Sequence, residues 1–116
     1  MPSILRIEKL NILLKEELSK ILDREIELPE DHLATITRVS VSPDAHYAAV
    51  FVSILGPHPK TALGNLSKNV YNVQQTLNRK VRMRPVPKIH FEIDEEEKRR
   101  ESVEKSLADL KKKGEI

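Results

Sequence analysis

The chain has no cysteine and no tryptophan, only three glycines in 116 residues, and no acidic residue anywhere between Asp44 and Glu92. Without cysteine there is neither a disulfide framework nor a thiolate metal site, which matches a reducing, cytoplasmic location. Two Phe and two Tyr are too few for an aromatic-rich core, so Leu, Ile and Val must do the packing. The same scarcity puts base stacking on an aromatic sheet face nearly out of reach. The longest apolar stretch, Ala48 to Leu55, is far short of the roughly 20 residues of a membrane span, and no membrane partner is expected. Ile4 to Leu14 is interrupted by Arg6, Glu8, Lys9 and Asn11 where a signal peptide would have an unbroken apolar core, so none is expected.

The missing acids reveal what is there. The acid-free run of 47 residues carries Lys60, Lys68, Arg79, Lys80, Arg82, Arg84 and Lys88, although the whole chain has a formal net charge of only +2. Removing those seven charges leaves the remainder at −5. A field segregated in this way points to a polyanionic partner, most often nucleic acid. Complementing a helix dipole at its C-terminal end explains part of the cluster from Arg79 to Arg84, but four cations exceed that need.

The length suits one core of about two layers. Ile7, Leu10, Leu14, Leu18, Ile21 and Leu22 recur at helical spacing and predict a helix from about Ser3 to Arg24. Thr35 to Ser42 predicts a half-buried strand with Thr37, Val39 and Val41 on one side and Arg38 and Ser40 on the other. After the Pro43-Asp44 turn, Ala48, Val50, Val52 and Ile54 alternate with Tyr47, Ala49, Phe51 and Ser53, so the two strands should form a hairpin. Pro57 and Pro59 stop the second strand. Leu63, Leu66, Val70, Val73 and Leu77 then mark helical structure from about Lys60, long enough for two helices. A third strand follows Pro85-Val86-Pro87, with Ile89, Phe91 and Ile93 alternating and Phe91 buried. The expected fold is α+β, of order α-β-β-α-α-β, with helices on one face of a three-stranded mixed sheet. Residues 1–94 form this domain. Residues 95–116 form a charged C-terminal tail helix with Val103, Leu107 and Leu110 as its apolar stripe and i,i+4 pairs such as Glu95 with Arg99.

No catalytic constellation emerges. Gly56 with Lys60-Thr61 lies where a phosphate loop would, but Pro59 stands where the second glycine is needed and Pro57 removes a backbone donor. His32, His46, His58 and His90 lack ligand-pair spacing and are expected on the surface. The acids from Asp94 to Glu97 point to different sides and more simply complement a helix N-terminus. No enzyme activity, cofactor, metal or small-molecule substrate is therefore expected, and the free protein should be a monomer.

The order α-β-β-α-α-β is that of the type II KH domain, without its G-x-x-G motif. Along nearly its whole length the chain resembles the ribosome-binding factor A family. The matching stretches are Arg6-Ile7, "ELSKILDREI" (17–26), "ITRVSV" (36–41), Ser42-Pro43-Asp44 with "AHYAAVFVSILG", "LNRKVRMRPVP" (77–87) and "KIHFEID" (88–94). The family's Ala-x-Gly kink between its second and third helices falls at Asn69-Val70-Tyr71, where Asn69 can take the left-handed conformation of a helix break. The resemblance implies a KH type II-like, non-enzymatic factor that binds the immature 30S subunit through 16S rRNA and assists late small-subunit maturation and rRNA processing. Carried onto this sequence, the RNA contacts would be Arg79, Lys80, Arg82 and Arg84, with Lys68 and Asn69 at the kink and Lys60, Lys88, Arg38 and Arg6 beyond them. The alternatives are a generic KH-type RNA-binding module and an interaction domain for an acidic protein partner.

Overall fold

In a computed structural model the protein is described over residues 3–96. The tail helix expected over residues 95–116 thus lies outside the described residues, apart from Glu95 and Glu96.

Helix α1 spans Ile4–Glu25. Ser3 caps its start, its side-chain oxygen accepting the Arg6 N–H at 3.2 Å, and the helix ends where Ile26 turns extended. Leu14, Leu18, Ile21 and Leu22 form its buried stripe, the periodicity that predicts the helix. Strands β1 (Leu33–Val41) and β2 (Tyr47–Leu55) make the antiparallel hairpin. Helices α2 (Pro59–Lys68) and α3 (Val70–Lys80) then carry the chain to β3 (Lys88–Ile93), which pairs parallel to β2. The sheet order is β1-β2-β3. Central β2 is flanked on both sides, and its Ala48, Val50 and Val52 are wholly buried against Leu14, Leu18, Leu66 and Leu77. Among the described residues the fold is α+β, a three-stranded mixed sheet with three helices.

β1 departs from strict alternation. Its register against β2 shifts between Ile36 and Arg38, so Thr37 is the extra residue of a bulge. Ile36, Val39 and Val41 face the core, and Thr37 does not join them. The reason is polar: the Thr37 hydroxyl contacts the Phe51 carbonyl at 3.2 Å and the Asp94 carboxylate at 2.6 Å. A threonine with two such acceptors gains more there than against Leu and Val.

The helical stretch from Pro59 to Lys80 breaks at Asn69, where the family resemblance puts the kink. The break is not left-handed: Asn69 has φ −94° and ψ 2°, the bridge region open to any residue. Its side-chain amide donates to the Asn65 carbonyl at 2.8 Å, so the kink needs no glycine and Tyr71 fits beside it.

Two loops are tied by histidine. His32 donates from Nδ1 to the Glu30 carbonyl (2.9 Å) and accepts the His58 N–H at Nε2 (3.0 Å), while the rings of His32 and His58 stack at 6.3 Å. His32 is therefore half-buried and structural rather than a plain surface residue.

Candidate nucleic-acid interface

Helix α3 buries Val73, Thr76 and Leu77, which phases Arg79 and Lys80 outward in its last turn. Val81 leaves the helix in an extended conformation with its side chain 5% exposed. Buried Pro87 anchors the other end of the loop, and exposed Arg82 and Arg84 lie between. Gln74 staples this loop to the fold. Its amide nitrogen donates to the Pro87 carbonyl (3.1 Å) and to Asn78 Oδ1 (3.0 Å), and its oxygen accepts the Ile89 N–H (2.8 Å). Sequence periodicity overlooks Gln74, because nothing local distinguishes it from a solvated glutamine.

The four cations of this segment are not equivalent. Arg84 folds back, its Nη1 donating to the carbonyls of Val81 (2.8 Å) and Met83 (2.7 Å), so it satisfies oxygens of its own loop just past the end of α3. Arg79 donates through Nη2 to Thr76 Oγ1 (3.2 Å), and that hydroxyl in turn donates to Glu25 Oε2 (3.1 Å). Lys80 and Arg82 are exposed, and among the described residues neither has a carboxylate partner. Lys88, also exposed, closes the same loop, its backbone N–H donating to the His46 carbonyl at 2.8 Å.

The remaining sequence candidates are spread out. Lys68 is exposed at the end of α2, and Tyr71, just past the break in the first turn of α3, is 71% exposed. Asn69 itself is committed to Asn65. Arg6 lies in the first turn of α1, on the half tied by Asn11 Oδ1 to the Val41 N–H (2.8 Å), hence toward the end of the sheet where β3 begins. Lys60 opens α2 beyond the far end of β2, about 25 Å along the strand from the Lys88 end. Arg38 is on the sheet face away from the helices, its guanidinium 3.7 Å from the Phe51 ring centroid and its Nε 3.7 Å from Asp94 Oδ2. Arg79, Lys80, Arg82, Arg84 and Lys88 thus lie along one stretch, from the last turn of α3 through the loop to the first residue of β3, and Lys60 and Arg38 lie apart from it.

The acids form a cluster of their own, which Glu25 brings up to Arg79 through the Thr76 hydroxyl. Asp23, Glu25, Glu27, Glu30 and Asp31 fall within nine residues at the end of α1 and the loop after it. Asp44, in the hairpin turn, is held below its ordinary pKa, first by the Ser42 hydroxyl (2.6 Å) and then by the His46 N–H (3.0 Å). Asp94 is buried beneath Arg38 and Thr37, and its Oδ1 accepts the Glu96 N–H. It caps the following turn while serving the sheet. Among the described residues no group of three or more His, Cys, Asp or Glu could hold a metal ion, and no helix is long and apolar enough to cross a membrane.

A helix-covered mixed sheet of order α-β-β-α-α-β, with a helix break at Asn69 and a cationic loop leaving α3, defines a KH type II-like protein. Residues 6–107 match the family model of ribosome-binding factor A. The chain is 37% identical over 108 residues to ribosome-binding factor A of Natranaerobius thermophilus, covering 91% of this chain and 82% of the relative. It also superposes on the crystal structure of ribosome-binding factor A from Thermus thermophilus with a TM-score of 0.64 at 28% identity, covering 75% of this chain and 94% of that one. A Thermus thermophilus ribosome-binding factor A fitted into a cryo-electron-microscopy map of a 30S complex matches with a TM-score of 0.63 at 29% identity, over 71% of this chain and 88% of that one. The chain belongs to the ribosome-binding factor A family.

Proposed function

We propose that the protein binds the immature 30S subunit through 16S rRNA, as a free monomer in the cytoplasm, and assists late maturation and rRNA processing without catalysing a reaction. The observation that carries this is the cationic loop stapled by Gln74, where Lys80, Arg82 and Lys88 offer charge that no carboxylate among the described residues neutralises. Such groups grip phosphates without reading bases, and the shape of the bound RNA supplies selectivity. The 30S complex of the Thermus relative supports the same partner. Arg79 and Arg84 lend charge but are held by their own protein, and Tyr71 in the first turn of α3 adds one exposed ring able to stack on an unpaired base.

The test is binding to purified 30S subunits across a salt series. Lys80→Gln/Arg82→Gln should reduce the slope of log K against log salt by about 1.4–1.8, two phosphate contacts' worth. Arg84→Gln should reduce it by less. An unchanged slope in the double variant, with circular dichroism unaltered, would place the contact face elsewhere.

A further inference from the structure

The outer edge of β1 combines three features. First, among the described residues it is unpaired: in the order β1-β2-β3, nothing in the sheet lies beyond Leu33–Val41. Among the described residues the only hydrogen bond reaching the β1 backbone from outside the sheet is the one from Val41 to Asn11, at its far end. The opposite edge of the sheet is different, because Gln74 takes the outward N–H of Ile89 near the start of β3. Second, a groove runs beside the open part of β1, against the end of α1. It comprises two depressions of about 180 and 220 Å³ that share Leu22, Asp23, Leu33 and Ala34 as walls. Leu33 is 60% exposed there. Third, the rim is acidic. Asp23 lines the groove, Glu27, Glu30 and Asp31 follow in the next loop, and among the described residues none of them is in an ion pair.

We propose that Leu33–Ile36 receives an extended basic peptide of a partner protein as an added strand. An exposed edge supplies main-chain hydrogen bonds to an extended chain, and adjacent apolar pockets take its alternate side chains. The acidic rim selects the charge of that chain. Lysine and arginine lay their methylene stems along apolar surface while the charged head reaches a carboxylate, which suits a groove walled by Leu22 and Leu33 and rimmed by Asp23. The Thr37 bulge bounds the site, since a bulge interrupts the ladder. Pairing ends at Ile36, and a short segment suffices.

The probe is a capped peptide of alternating lysine and valine, about eight residues long, titrated into the isotope-labelled full chain and followed by amide NMR. The amides of Leu33 to Ile36, with those of Leu22 and Asp23, should shift and saturate, and exchange at the β1 edge should slow. A matching glutamate and valine peptide should leave them unmoved. Asp23→Lys and Leu33→Ser alter exposed side chains, and each should weaken binding about tenfold or more, the range of a lost charge pair or side-chain anchor. Equal binding of the acidic peptide, shifts confined to other surfaces, or unchanged affinity in both variants overturns the proposal. So do β1 edge amides already protected in the full chain alone, which would assign the edge to a second copy or to the chain's own C-terminal residues.

Discussion

Gln74 makes the most exacting prediction, because one side chain joins α3 to β3 and sets the end of the cationic loop. Ile89 is 4% exposed and its N–H points away from β2, since the alternate residue Lys88 bonds across to His46. Gln74 Oε1 at 2.8 Å is its partner, and the Gln74 amide nitrogen reaches the carbonyl of buried Pro87. Gln74→Met keeps the length and volume but removes both contacts. Each buried polar group left unsatisfied costs about 1–3 kcal/mol, so the variant should lose about 2–6 kcal/mol from a domain stability on the order of 5–15 kcal/mol. Gln74→Glu keeps an acceptor for Ile89 and loses the donor for Pro87, so it should fall about midway. Urea denaturation reads the global loss. Hydrogen exchange reads the local one: a 2 kcal/mol opening corresponds to roughly thirtyfold faster exchange at the Ile89 amide. Salt-dependent 30S binding should weaken in the same order, because the loop bearing Arg82 is no longer pinned. Unchanged Ile89 protection in Gln74→Met would refute the staple.

Gly56→Ala should destabilise by about 1–3 kcal/mol or more in urea titration, because φ is +138° in a region closed to side chains. The new Cβ would also clash with His32 Cδ2 and meet the Asp31 carbonyl at 2.7 Å. A neutral result would mean that the His32 ring and its loop give way freely. For Asp44, folding lowers the pKa, so its turn contribution is present in full above the ordinary 3.8 and is lost as pH falls through the lowered folded value. Asp44→Asn lacks that titration. The difference in melting temperature between the parent chain and the variant should therefore narrow as pH drops from about 6 to about 3, and a constant gap would contradict the linkage.

Element order, the buried stripe of α1 and the hairpin were legible before any coordinates, because periodicity and turn chemistry are written within a few adjacent residues; the position of the helix break came only with the family resemblance. The cationic segment from Arg79 to Arg84 was legible too, and the family resemblance with it. Tertiary structure alone decided which cations stay free. Arg84 commits its guanidinium to the Val81 and Met83 carbonyls, and Arg38 lies over Phe51 beside an Asp94 that is 56 residues away in sequence. It also put Ile36 rather than Thr37 into the core, since the bulge answers to Phe51 and Asp94 across the sheet and not to the spacing of β1 itself. The physical reason is the range of the forces involved. Helical and strand patterns are local, whereas a hydrogen bond between Gln74 and Ile89, or between Thr76 and Glu25, exists only after packing has brought distant segments together.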